Sequence, residues 1–261
     1  MIIKEYFKPT NLEEAYNLVE EKNAVIFGGG AFIRLGSKEI DVAMDLTNLN
    51  LDFIEEKEDS IEIGAMTTLR KIEIDPAMKN NFSGIVSDAA AAIMGVQLRN
   101  IATVGGTVYG KYGFSDFNTA LLALDTYVEL FKGGRVSLKD FLQDKKRVKD
   151  IVTKIIIKKD NRKAAFQSLR NTSTDYAILN VAVSKADNKF NISVGARPAA
   201  AVLAVDAMLF MESAKLNEES AARAGEIAAE NLNFGNDLRG SAEYRKEVCK
   251  VLVKRAIMEV I

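Results

Sequence analysis

The chain has 261 residues, 35 basic against 36 acidic side chains, a net charge of −1 and an apolar fraction of 48%. That is enough for one large or two modest domains with a sizeable core, and it gives no electrostatic reason to expect nucleic acid or an anionic membrane. There is no histidine and only one cysteine, Cys249, which excludes a Ser-His-Asp triad, a histidine-ligated metal, an internal disulfide and a thiolate cluster.

If electrons pass through such a chain, a bound organic cofactor has to carry them. No apolar run approaches the roughly 20 residues of a membrane span. The first ten residues carry Lys4, Glu5 and Lys8 where a secretory signal has an apolar stretch, so the expected location is cytoplasmic.

In chain order, Thr10 with Glu13 reads as a capping box opening a helix over about 11–21, with Leu12, Ala15, Tyr16 and Val19 on one face. Residues 24–27 read as a buried strand running into Phe27-Gly28-Gly29-Gly30-Ala31, and Phe32, Ile33 and Leu35 suggest a short helix packing back on it. Asp41 to Leu46 is the next expected strand. The order suggests a βαβ unit, but the adjacent glycines do not fit the G-x-G-x-x-G dinucleotide fingerprint. Ser60 to Gly64 reads as a strand, with Thr67 as cap of a helix through Leu69 and Ile72. Ser83 to Met94 reads as an alanine-rich helix packed on a sheet.

The stretch from Val96 to Leu124 holds the second glycine cluster, Thr103-Val104-Gly105-Gly106-Thr107, and ends in a tyrosine- and glycine-rich loop at Ser115-Asp116, where a helical pattern begins. Adjacent glycines let backbone N–H groups approach an anion, because no Cβ intervenes and positive φ is open to them. Two such turns suit the two phosphates of a dinucleotide. A lone Gly-Gly would be a tight turn and nothing more. Ser115 reads equally as a helix cap, Met66 as a core methionine, and Tyr109 and Tyr112 either as ring-stacking residues or as loop tyrosines with a wet hydroxyl.

Further on, Tyr127 to Phe131 reads as a strand, Gly133-Gly134 as a turn and Leu138 to Leu142 as a short helix. Lys145, Lys146, Arg147 and Lys149 form a basic run that fits a solvated boundary loop or a docking site for an acidic neighbour. Beyond Ile151 the pattern becomes antiparallel, with strands at about 153–158, 164–169, 180–185 and 190–194 and a hairpin turn at Asp187-Asn188. Helices are expected over about 199–212, 217–230 and 241–260. The last has Tyr244, Val248, Val251, Leu252, Ile257 and Val260 at helical spacing, which makes Cys249 structural and not reactive.

The pair VIFGGGAFI and LRNIATVGGT, with IGAMTTL between them, SDFNTALLALD after them, and GARPAAA and DLRGSAEYRKEVCKVLVKRAI near the C-terminus, resembles the FAD-binding subunit of the molybdenum hydroxylases, which include xanthine dehydrogenase, aerobic carbon monoxide dehydrogenase and nicotinate dehydrogenase. The resemblance covers nearly the whole chain. It implies an α+β fold, with a two-part PCMH-type FAD-binding domain over residues 1–157 (subdomains about 1–55 and 56–157). A C-terminal α+β domain with an antiparallel sheet and helices is implied over 158–261.

It further implies that Phe27, Gly28, Gly29, Gly30, Ala31 and Phe32 together with Thr103, Gly105, Gly106 and Thr107 embrace the FAD pyrophosphate. Asp116 would contact the adenine-side ribose or an adjacent polar group, with Ser115 beside it either as ligand contact or as helix cap, and with no catalytic acid or base and no metal ligand in this chain. Arg170, Arg197 and Arg245 are expected as ion pairs holding the two domains together. Electrons would come from [2Fe-2S] clusters on a partner, in a complex with a molybdopterin subunit, and pass to NAD or another acceptor.

The chain departs from the family pattern at Phe27, Gly30 and Ala31, where the family carries Ala-Gly-Gly-Thr or Ala-Gly-Gly-His followed by Asp or Ser. It departs again at Thr107, where asparagine is usual, and at Tyr112-Gly113-Phe114. The departures at Phe27, Gly30 and Ala31 keep open a non-catalytic interaction subunit with weak or no FAD binding; a third reading is a stand-alone flavin oxidase of the same broad fold.

Overall fold

In the computed structural model every residue is described except Asn23, Lys38, Lys145 and Arg147, so half of the basic run at 145–149 lies outside the described residues. The strands in chain order are β1 (Ile2–Phe7), β2 (Val25–Phe27), β3 (Glu39–Asp45), β4 (Ile54–Glu56), β5 (Ser60–Gly64), β6 (Thr126–Leu130), β7 (Gly134–Ser137), β8 (Val152–Lys158), β9 (Lys163–Leu169), β10 (Leu179–Ala186), β11 (Lys189–Gly195) and β12 (Val202–Leu203). The α-helices are α1 (Leu12–Lys22), α2 (Leu69–Ile74), α3 (Pro76–Asn80), α4 (Ile85–Ala91), α5 (Val96–Arg99), α6 (Val104–Gly110), α7 (Asp116–Ala123), α8 (Leu138–Gln143), α9 (Val205–Ser213), α10 (Glu218–Asn231) and α11 (Ala242–Val260).

The chain forms two compact units, each discontinuous in sequence. The first comprises residues 1–71, 96–110 and 126–157. It holds a three-stranded parallel sheet in the order β1-β3-β2 and a five-stranded sheet in the order β4-β5-β8-β6-β7. The parallel pairing follows from the crossover through α1, whose Ala15 and Val19 pack with Val42, Met44, Leu46 and Leu51 in one apolar cluster that Met66 also touches. Met66 is therefore a core methionine.

The second unit comprises residues 72–95, 111–125 and 158–261. Its antiparallel sheet runs β12-β11-β10-β9, and the β10–β11 hairpin turns at Asp187, whose φ of 52° is left-handed. β10 is covered on both faces. Leu179, Val181 and Val183 enter a core shared with Ala207 and Met211 of α9, Ala221, Ala224 and Ala228 of α10, and Leu252, Val253 and Ala256 of α11. Asn180 and Ser184, on the other face, bond to α7. Alanine-rich α10 lies so near α11 that a Cβ on Gly225 would stand 2.4 Å from the Lys250 carbonyl oxygen.

Several local readings shift. The cap of α1 is Asn11, whose Oδ1 accepts the Glu14 N–H at 2.9 Å, while Glu14 reaches back to the Thr10 N–H and hydroxyl; the capping pair is one residue later than Thr10 with Glu13. Thr68, not Thr67, accepts the Lys71 N–H, because the Thr67 hydroxyl is engaged with the Phe53 backbone. The helix expected over 83–94 is shorter, since Ser83 and Gly84 are left-handed and α4 runs only from Ile85 to Ala91. The segment 152–158 belongs to the five-stranded sheet, where it pairs with β6. The helix expected from 199 begins at Val205, because Val202 and Leu203 add a strand to β11.

Two of the three arginines are also corrected. Arg245 is fully buried and donates to the carbonyls of Ile178, Gly235 and Gly240 and to Asp237, and Arg197 donates to the carbonyls of Asn233 and Ala200. Both organise loops of the C-terminal part. Only Arg170 reaches the N-terminal half, at Asp116.

Candidate functional site

The first unit brings the two glycine clusters together. β2 ends at Phe27, and the next three residues turn the chain without side chains. A Cβ on Gly28 would stand 2.6 Å from Thr103 Oγ1 and 3.2 Å from Gly106 Cα, and one on Gly29 only 1.5 Å from the Ile101 carbonyl oxygen. Glycine is thus required at both positions by the close approach of the second segment, and Gly29 and Gly30 also have left-handed φ values of 79° and 68°.

The second cluster is not a turn. Thr103 pairs with Thr68 in an isolated β-bridge, and the chain then enters α6, with the Gly106 N–H bonding to Thr103 Oγ1 at 3.2 Å as a helix cap. Gly105 and Gly106 have no positive φ. Gly105 is there because a Cβ would lie 2.7 Å from Ala65 Cβ and 2.9 Å from its carbonyl oxygen.

The two clusters differ in what their backbones have left to offer. In the second, Val104 N–H donates to Thr67 O, Gly105 N–H to Ala65 O and Thr107 N–H to Thr103 O, and the Thr107 hydroxyl also donates to Thr103 O at 2.8 Å. In the first, Gly29, Gly30 and Ala31 donate no backbone hydrogen bond among the described residues. Buried or half-buried N–H groups without an acceptor are costly, and Gly30 and Ala31 are buried. A run of unengaged N–H groups through left-handed residues is the backbone geometry that takes a phosphate oxygen. The residues present therefore fit a pyrophosphate: the first cluster has the free donors, and the second packs against it. Phe32 is half-buried at the start of the 3-10 turn Ile33–Leu35.

Ser115 and Asp116 lie in the second unit. Ser115 Oγ accepts the Asn118 N–H at 3.1 Å and caps α7. Asp116 is 3% exposed. Its Oδ1 lies 2.8 Å from Arg170 Nη2 and accepts from Asn180 Nδ2 at 2.8 Å. Burial pushes the Asp116 carboxyl above its ordinary value, while Arg170 and Asn180 pull the other way. At the far end of α7 the Ala123 carbonyl accepts from Arg162, Ser184 and Asn191, so the helix is clamped at both ends. Sequence reasoning missed Arg162, Arg170 and Asn180 as partners of α7. No local pattern links them, since the contacts span 39 to 64 positions.

Tyr109 uses its hydroxyl on the Val148 carbonyl at 2.6 Å. Tyr112 stacks on Phe114, with ring centroids 5.3 Å apart, and Phe114 packs on Tyr176. Cys249 is fully buried and burial pushes its thiol up to about 12. Among the described residues no group of His, Cys, Asp and Glu could hold a metal, and no helix is long and apolar enough to cross a membrane.

Residues 2–159 match the model of the FAD binding domain in molybdopterin dehydrogenase, and residues 164–260 that of the CO dehydrogenase flavoprotein C-terminal domain. The chain is 28% identical over 272 residues to the nicotine 6-hydroxylase medium subunit of Paenarthrobacter nicotinovorans, covering 97% of this chain and 96% of that one. It is 30% identical over 179 residues to the nicotinate dehydrogenase FAD-subunit of Eubacterium barkeri, covering 62% and 60%. A chain in the crystal structure of the cyanide-inactivated Cu,Mo-CO dehydrogenase superposes with a TM-score of 0.89 at 22% identity, over 100% of this chain and 99% of that one. At that identity the superposition shows a shared fold.

Proposed function

Because the chain belongs to the family of the FAD binding domain in molybdopterin dehydrogenase, joined to a CO dehydrogenase flavoprotein C-terminal domain, we propose that it receives electrons from [2Fe-2S] clusters on one partner, in a complex with a molybdopterin subunit, and passes them to NAD or another acceptor. It is an FAD-binding oxidoreductase subunit of the molybdenum hydroxylase type. FAD, when bound, supplies the electron-carrying ring; the protein's residues hold and orient it.

The observation that carries this reading is the set of unengaged N–H groups at Gly29, Gly30 and Ala31. In this assignment Phe27 to Phe32 form the donor side of the pyrophosphate site, with Thr103, Gly105, Gly106 and Thr107 as its opposing wall. The chemistry needs no side-chain acid or base. Ser115 and Asp116 contribute by fixing α7, and the burial of Asp116 argues for an anchoring role over direct contact with a ribose. FAD is held non-covalently, since the chain has no histidine and its one thiol is buried. We take 1–157 and 158–261 as the functional domains and the cytoplasm as the location.

The test is the purified, flavin-loaded chain. Acid denaturation is expected to release all yellow colour to the supernatant. The isolated protein is expected to show at most FAD-dependent transfer from NADH to a dye, with no oxidation of an organic substrate until the iron–sulfur and molybdenum subunits are added. Turnover of a heterocycle by the lone chain would favour the stand-alone oxidase. A colourless protein that takes up no added FAD would favour the interaction subunit.

A further inference from the structure

We propose that Phe27 is the positioning residue of the first glycine loop, its ring holding Gly30 so that the free N–H groups of Gly29, Gly30 and Ala31 stay in place for a pyrophosphate. The inference rests on the reading of this loop as the pyrophosphate site and asks what keeps it in shape.

Consecutive glycines are the backbone with the most freedom to lose, and these two donate no hydrogen bond that would fix them. Each has a different wall. Gly28 abuts Thr103 and Gly106, and Gly29 abuts the Ile101 carbonyl. Gly30 has neither. A Cβ built on it would lie 3.1 Å from Phe27 Cδ1 and 3.4 Å from Phe27 Cε1, and no other atom outside its chain neighbours comes within 4 Å among the described residues.

The remaining tie is the Gly30 carbonyl, which accepts the Arg34 N–H at 3.1 Å; it fixes the exit of the loop, while the Phe27 ring lines the side on which a Gly30 Cβ would stand. Phe27 itself is firmly placed. It is the last residue of β2 and pairs with Asp45 of β3, so its ring projects from a sheet onto a segment with no side chains of its own. A bulky residue at 27 and the absence of one at 30 are thus two halves of one packing arrangement. Removing the ring would free the backbone at Gly30 and scatter the donors, while the rest of the first unit keeps its core.

The test compares the apo full-length protein and its variants by fluorescence titration with FAD, with ADP, which has the pyrophosphate but no flavin, and with riboflavin, which has the flavin but no phosphate. Phe27→Ala is expected to weaken FAD and ADP by about tenfold, the scale of one residue's released backbone freedom, and to leave riboflavin unchanged. Phe27→Leu, which keeps a bulky group, is expected to restore FAD binding to within about threefold.

If Phe27→Ala does not fold, Phe27→Val is expected to show the same selective loss. Equal loss for all three ligands, or unchanged ADP binding in Phe27→Ala, would overturn the proposal while leaving the FAD reading intact. A parent protein that binds neither FAD nor ADP would reject that reading and this inference with it.

Discussion

Gly105 stands against Ala65 so closely that a Cβ on it would lie 2.7 Å from Ala65 Cβ and 2.9 Å from the Ala65 carbonyl oxygen, the oxygen that accepts the Gly105 N–H. The residue is buried. Its role is to let α6 touch the segment that follows β5, and any effect of Gly105 on cofactor binding passes through that packing.

Gly105→Val is therefore expected to destabilise the apoprotein, by at least about 2 kcal/mol from overpacking against a backbone that cannot yield, and to lose FAD as a consequence. A thermal melt of the apo form checks this; an unchanged midpoint with selective loss of FAD would return Gly105 to the role of phosphate contact.

Asp116 and Arg170 form a pair in which each is nearly buried, with side-chain exposures of 5% and 11%. Arg170→Ala leaves the carboxylate without its cation and is expected to cost about 3–5 kcal/mol near neutral pH. Because burial already raises the Asp116 pKa, losing Arg170 raises it further, so the deficit grows as pH rises through the carboxyl range and shrinks in acid, where Asp116 is protonated. Urea denaturation of parent and variant at two pH values would reveal the trend.

Glu62 of β5 lies between Lys154 at 2.6 Å and Lys57 at 2.9 Å. Burial alone would raise its pKa, but the two ammonium groups outweigh it and hold the carboxyl below its ordinary value. A depressed folded-state pKa contributes stability that is present above the unfolded value, about 4.3, and is lost as pH falls through the folded value. Glu62→Gln is accordingly expected to be less stable than the parent above about pH 5 and indistinguishable from it in stronger acid, as read from melting temperatures across that range.

Cys249, with a thiol pushed up to about 12, is neutral at physiological pH and shielded from solvent. A chromogenic disulfide reagent is expected to find no reactive thiol in the native protein and one per chain in denaturant. Rapid native labelling would mean that α11 opens.

Much of the second unit was legible because its signals are local. Asn217 and Ser241 cap α10 and α11, and period-two alternation marks β10 and β11. What escaped was set by distant partners. β1 is an edge strand whose six side chains are all at least partly exposed, so it shows no buried face to read, and its mate β3 begins 37 positions later. Two adjacent glycines argue against a helix by propensity, yet α6 contains them because the tertiary approach to Ala65 outweighs that cost. The glycine clusters were visible as a pair; that only the first keeps its N–H groups free depends on Ala65, Thr67 and Thr103, which the linear pattern does not connect to them.

Every residue of α7 is buried, and what buries it includes β10 and β11, made more than fifty positions later. During synthesis this helix leaves the ribosome with α4 beside it but without the sheet that covers the rest of its surface, flanked by segments 96–110 and 126–157 that belong to the other unit. A chain interrupted at residue 157 would carry 72–95 and 111–125 as orphaned apolar pieces, a sticky nascent intermediate that chaperones or partner subunits would have to shield until the C-terminal sheet emerges.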